Sequence, residues 1–94
     1  MDTPYKPKDY NSLSPYLVVD QAQKLVDLLK AVFNATELRR YDHGDGTIAH
    51  IELKLDDSVI MMSNSTEQYA ANKMMLHMYV PDVFETFNRA IAQG

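Results

Sequence analysis

Two imidazoles and a carboxylate, His50, Glu52 and His77, are the side chains whose types and placement could carry chemistry. His50 and Glu52 are separated by one residue and so share one side of a strand, and His77 lies in a second strand-like run. On one sheet face the three could form a facial metal triad, with open positions for water or substrate. The plainer reading keeps His50 as a partly buried histidine bonded to a neighbour, Glu52 as a solvated group at an edge, and His77 as part of an interface. Short motifs of this kind mislead often, and the plainer reading is preferred. Other candidates are weaker. Tyr16 and Tyr79 could stack on a planar ligand or donate to it, and Met61 and Met75 could shape a flexible apolar pocket. Arg39 and Arg40 could pair with an anion, and Glu67, Gln68 and Tyr69 could cover a cleft. His43, in the turn HGDG, is read as a solvated loop residue.

These residues need a scaffold, and its elements follow from periodicity. Residues Leu13 to Val19 are strand-type, and Ala22, Leu25, Val26, Leu28, Leu29, Val32 and Phe33 recur at helical spacing. The helix is expected from Asp20 to Phe33, with Asp20 and Gln23 as a capping box and Asn34 ending it in the left-handed region. Glu37 to Tyr41 and Thr47 to Leu55 read as a hairpin, with Gly44 and Gly46 supplying positive φ. Asp56 and Asp57 turn the chain into a further strand over Ser58 to Ser63. Residues from Asn64 to Lys73 read as a loop. Met74 to Val80 alternates like a strand, and Asp82 with Glu85 caps a last helix whose apolar face is Val83, Phe84, Phe87, Ala90 and Ile91. The fold class is α+β: a βαβββ module followed by a β-α unit, in a mostly antiparallel mixed sheet with helices on one face.

Alternation sorts the strands. Leu17, Val19, Ile51, Leu53, Leu55, Ile60, Met62, Leu76, Met78 and Val80 are expected beneath the helices. The other face receives Ser14, Tyr16, Val18, His50, Glu52, Val59, Met61, Ser63, Met75, His77 and Tyr79. Of these, Ser14, Tyr16, His50, Glu52, Met61, Met75, His77 and Tyr79 are the expected ligand-binding residues, a mixture of apolar walls and few polar groups that suits a small molecule.

Composition sets the bounds. With 94 residues, 46% hydrophobic and 23% charged, the chain suits one globular domain. It divides into a leader over 1–11, a module over 12–63 and a terminal strand-helix unit over 74–94. A net charge of -4 without a cluster of Lys and Arg argues against nucleic acid or an anionic membrane as partner. The first residues lack the apolar run of a signal peptide, and the expected location is cytoplasmic. The absence of cysteine excludes disulfides and thiolate chemistry.

The final strand-helix pair repeats the opening one. On the segments SPYLVVDQAQKLVDLLKAVFNA, DGTIAHIELKLDDSVIMMS and MLHMYVPDVFETFNRA, the chain resembles the glyoxalase/bleomycin-resistance/extradiol-dioxygenase superfamily, the vicinal oxygen chelate proteins, in a glyoxalase-like group of uncharacterised bacterial members. The resemblance implies paired βαβββ modules around a cleft, and the second module here is shortened. A homodimer, symmetric or exchanging the terminal strand-helix unit, is therefore expected to rebuild the cleft. The resemblance also implies metal ligands on the first and last strands of a module, where Ser14, Met61 and Met75 stand. Those side chains do not suit a hard divalent ion, so no metal is favoured. Three functions follow from this reading. The favoured one is a binder of a small organic ligand in a dimer cleft. The alternatives are a lyase, isomerase or dioxygenase using a divalent ion on His50, Glu52 and His77, and a self-associating remnant with no ligand site. Whether the chain is an enzyme stays open.

Overall fold

The computed structural model describes residues 5–94, so residues 1–4 of the expected leader lie outside it. Its elements run β1 (Tyr16–Val19), α1 (Ala22–Phe33), β2 (Thr36–Asp42), β3 (Ile48–Leu55), β4 (Ser58–Asn64) and α2 (Val83–Gln93). The four strands form one sheet in the order β1-β4-β3-β2, with β1 parallel to β4 and the other pairs antiparallel. α1 carries the chain from β1 at one edge of the sheet to β2 at the other, a βαβ crossover that leaves a mixed sheet, as the α+β expectation has it.

The helix side of the sheet holds the core. Leu17, Ile51, Leu53, Leu55, Ile60 and Met62 are buried there with Ala22 and Val26 of α1, and Val19 packs against them half-buried. Leu17, Met62 and Ile51 stand opposite one another across three strands, which fixes the register by placing every large apolar side chain of that row under the helix.

Turns and caps depart from the sequence expectation where a distant residue intervenes. Asp20 does not cap α1. Gln21 sits in the left-handed region at φ 55°, and the amide of Ala22 donates to Asn64 Oδ1 at 2.9 Å, so the end of β4 caps the helix through space. Asp20 is taken up instead as an acceptor for the hydroxyl of Ser65. Asn34 ends α1 in the left-handed conformation as anticipated, at φ 57°. In the hairpin only Gly46 takes positive φ, 89°, while Gly44 does not. The Asp45 carboxylate accepts from both the amide and the hydroxyl of Thr47 and stabilises that turn. Asp82 caps α2 as expected, accepting from the Glu85 amide at 3.1 Å.

The terminal unit departs most. Met74 to Val80 pairs with no strand among the described residues, and of its expected core residues only Met78 packs on the main cluster, while Leu76 is half exposed. Asn72 explains part of this. Its side-chain oxygen accepts from the Val18 amide at 3.2 Å and its own amide donates to the Val18 carbonyl at 3.0 Å, so it occupies the β1 edge that a fifth strand would need. The other edge, β2, carries Glu37, Arg39, Arg40 and Asp42 and two register shifts, features that discourage pairing. α2 lies against α1, held by Arg89, whose guanidinium donates to the Ala31 carbonyl and to Asn34 Oδ1 at 3.1 and 2.6 Å. Thr86, Arg89 and Ala90 are its half-buried residues, and Val83, Phe84, Phe87 and Ile91 of its apolar face are exposed. No helix among the described residues is long and apolar enough to cross a membrane.

Candidate functional site

The side of the sheet away from the core carries a row of four residues, one from each strand. Tyr16 stands opposite Met61, Met61 opposite Glu52, and Glu52 opposite Arg39. Alternation puts Tyr16, Met61 and Glu52 there, each offset by one from a core residue of its strand, and Arg39 stands next to the half-buried Leu38. His50, two residues before Glu52, projects on the same face and joins the row to itself. Its Nε2 lies 2.8 Å from Glu52 Oε2, and its Nδ1 lies 3.3 Å from the Tyr16 hydroxyl. The Tyr16 and His50 rings meet at 5.6 Å between centroids.

Glu52 is 7% exposed and is the one buried charged residue among those described. Its second oxygen, Oε1, accepts from the hydroxyl of Tyr10, which belongs to the leader. An ionised carboxylate only accepts, so His50 donates through Nε2, and a neutral His50 then accepts from Tyr16 at Nδ1. The result is a chain of donations from Tyr16 through His50 to Glu52, met from the other side by Tyr10. Burial pushes the Glu52 carboxyl up, but the hydrogen bonds from Tyr10 and His50, with the nearby charge of Arg39, outweigh it and hold the group below the ordinary carboxylate range. The same contact pushes the Tyr10 phenol up, with burial adding to it.

The leader is also fastened to the body at Asn11. Asn11 Oδ1 accepts from the Val59 amide at 3.1 Å and from the Ser14 hydroxyl at 3.2 Å, and Val59 beside it is fully buried on the open face. Tyr5 to Tyr10 then pass beside the row, and together with Arg39, Glu52 and Met61 they enclose a concavity of about 350 Å³. A second hollow of about 380 Å³ opens on the other flank of Tyr16, over Val18 and Ser63, with His43 and Tyr69 in its walls.

The structure thus brings together Ser14, Tyr16, His50, Glu52 and Met61 of the expected site. It does not bring Met75, His77 and Tyr79 to them. Met75 and Tyr79 are 95% and 88% exposed, and the His77 ring meets only that of Tyr79, edge-on at 4.8 Å. Tyr79 borders a hollow on the helix side, with Phe33 and Arg89. Glu52 is also not the solvated edge group of the plainer reading. Tyr10 and Asn11 were missed, and the only sequence signal for them was an aromatic next to an amide in a proline-flanked leader.

A divalent ion would need three protein ligands or more. Among the described residues no three His, Asp or Glu side chains lie together to hold one, so His77 does not complete a triad with His50 and Glu52 in this chain. Both oxygens of Glu52 and both nitrogens of His50 are engaged, and Ser14 and Met61 offer a bound hydroxyl and a thioether. This donor set does not fit such an ion.

No family model matches the chain. Uncharacterised proteins of Mycobacterium bovis and Mycobacterium tuberculosis are each 32% identical over 94 aligned residues, covering 88% of this chain and 62% and 55% of theirs. The chain therefore spans less than two thirds of the length of the curated relatives it matches. Among solved structures, TioX from Micromonospora sp. ML1 aligns with a TM-score of 0.61 at 28% identity, covering 89% of this chain and 71% of that one. FosX, the fosfomycin resistance protein of Listeria monocytogenes, solved with Mn(II) and sulfate, shares the fold at a TM-score of 0.62 and 17% identity, covering 87% of this chain and 70% of its own. The PhnB protein of Bacillus cereus does so at 0.61 and 12%, over 88% and 72%. With the βαβββ sheet and the crossover helix, these likenesses show that the chain has the fold of TioX, FosX and PhnB, and they bear out at the level of the fold its resemblance to the glyoxalase/bleomycin-resistance/extradiol-dioxygenase superfamily of vicinal oxygen chelate proteins.

Proposed function

We propose that this chain binds a small, partly apolar organic molecule on the open face of its sheet, without the superfamily's usual metal, in a cleft that a second copy of the chain completes. The observation that carries this reading is Glu52, a buried, ionised carboxylate at the floor of a concavity of about 350 Å³ that is walled by tyrosine and methionine side chains. A core has no use for such a group, whereas a binding site uses a few fixed polar atoms among apolar walls to orient a ligand. Binding is favoured over turnover because His50 and Glu52 are saturated by each other and by Tyr16 and Tyr10, which leaves neither free to move a proton in the unliganded site.

The second copy is argued from the terminal unit. α2 is an amphipathic helix too short to be stable alone, and it turns Val83, Phe84, Phe87 and Ile91 outward, next to an extended arm whose Met75 and Tyr79 have no place in their own chain. Because the sheet edges are blunted by charge and by Asn72, this apolar surface and not edge pairing would drive association. Exchange of the arm would bring Met75, His77 and Tyr79 to the open face of the partner, where the sequence places them.

Native mass spectrometry of the purified protein tests the reading, because it reports subunit number, retained metal and retained small molecule together. A metal-free dimer that binds organic probes, with binding lost in Glu52→Ala, is expected. A retained divalent ion that disappears in His50→Ala would replace the proposal with a metal-dependent enzyme. A monomer would remove the shared cleft, and a dimer that takes up no probe of any class would leave only self-association.

A further inference from the structure

The leader residue Tyr10 occupies a place that a ligand could fill. Its phenol donates to Glu52 Oε1, while Glu52 Oε2 is held by His50, so the acceptor that faces the concavity is the one Tyr10 covers. The leader is otherwise lightly held. Beyond Asn11, which is fastened to Val59 and Ser14, the ties of residues 5–10 to the body among the described contacts are the Tyr10 bond, an exposed bond from the Lys6 ammonium to the Ser12 hydroxyl at 3.2 Å and an exposed pairing of Asp9 with Lys54 at 3.6 Å. Asp9 itself sits in the left-handed region at φ 72°, a conformation disfavoured for a residue with a side chain. Tyr5 is 91% exposed. A fixed Asn11, a strained Asp9 and a single buried anchor between them describe a plug that can swing out about Asn11.

We propose that Tyr10 is a displaceable surrogate for the ligand, and that the site takes a neutral, hydroxyl-bearing ring of about the size of a phenol, whose O–H replaces that of Tyr10 on Glu52. The inference rests on the small-molecule reading above and specifies its ligand. The chemistry follows from the surroundings. An ionised carboxylate asks for a donor, which excludes anions at that point, and Lys6 and Arg39 in the same concavity disfavour a cation. Met61 and the tyrosine rings provide the apolar wall for the body of the ring. A ligand that lacks the donor would leave Glu52 buried and unpaired once Tyr10 had left, and a site built for a hydroxyl rejects the analogue without one.

The test compares two probes, 4-methylphenol and 4-methylanisole, on the wild type and on Tyr10→Ala, following the methionine methyl resonances, Met61 above all. The variant without the plug is expected to bind 4-methylphenol at least about tenfold more tightly than the wild type, the worth of one hydrogen bond to a charged group, with no such gain for 4-methylanisole. Should Tyr10→Ala fail to fold, Tyr10→Phe, which keeps the ring and loses the donor, carries the same comparison. An equal gain for both probes, or equal affinity of variant and wild type for 4-methylphenol, would overturn the surrogate role while leaving the apolar cleft in place. A Met61 methyl that neither probe moves in either protein would overturn the small-molecule reading itself.

Discussion

Replacing Phe84 by alanine is the most direct test of the unpartnered helix, since the side chain is 80% exposed on α2 and makes no part of the core. A buried phenylalanine withdraws roughly 150–250 Å² from water. Covering the exposed four-fifths of Phe84 therefore removes on the order of 150 Å², which is about 4 kcal/mol at ~25 cal/mol per Å². An isologous interface uses the residue twice, and interface packing realises only part of such a sum. A loss of about 4 kcal/mol for the dimer is a conservative expectation, equivalent to roughly a thousandfold rise in its dissociation constant. The monomer should feel almost nothing, because an exposed phenylalanine is no better a helix former than alanine. Sedimentation velocity over a concentration series reads the first effect, and thermal unfolding of the dilute monomer reads the second. The reasoning fails if the wild type sediments as a monomer at high micromolar concentration. It fails equally if Phe84→Ala leaves the dimer intact, or if it unfolds the monomer, which would mean that Phe84 belongs to the core.

Two further outcomes follow from single contacts. The Glu52 carboxyl is held below its ordinary range, so its contribution to stability should be complete above the unfolded carboxylate value and should decline as the pH falls through the lower folded one; Glu52→Gln should remove that part of the acid slope in urea titrations from pH 7 downward. A slope unchanged by the substitution would show that the Glu52 carboxyl titrates alike in the folded and the unfolded chain and is not held down by its partners. Asn64→Ala should destabilise the chain by about 1 kcal/mol, the usual worth of a helix N-cap, because the Ala22 amide loses its acceptor. Asp20→Ala, at the place where the sequence puts the cap, should cost α1 no cap bond, and amide exchange of the first turn of α1 distinguishes the two.

What could be read from the sequence was whatever depends on near neighbours. The period of two separates Ile51, Leu53 and Leu55 from His50 and Glu52 with no tertiary information, and the structure keeps that division. Asp82 and Glu85 form their cap within one turn, and Asn34 ends its helix by its own conformational tolerance. What escaped was decided by contacts across long stretches of chain. The α1 cap comes from Asn64, and Glu52 is paired with Tyr10, each at a separation of 42 residues. The alternation of Met74 to Val80 describes a segment able to be a strand, but a strand also needs an edge, and Asn72 stands at the one available on β1. The pattern of α2 likewise shows that it has an apolar face without saying what covers it.

The two unexplained surfaces lie apart, and that separation can be used. The plugged concavity belongs to the open face of the sheet, whereas α2 lies on the helix side, against α1. If copies associate by simple apposition of α2, the concavity does not sense the dimer, and Phe84→Ala should leave probe affinity at Glu52 unchanged even as it dissociates the subunits. If the terminal arm is exchanged, His77 and Tyr79 of one copy reach the open face of the other, and the same substitution should weaken probe binding in step with dimer loss. Probe affinity measured across the dilution range of the dimer therefore decides the mode of assembly. An affinity that follows dimer concentration requires the arm to cross, and one that stays constant confines the site to a single chain.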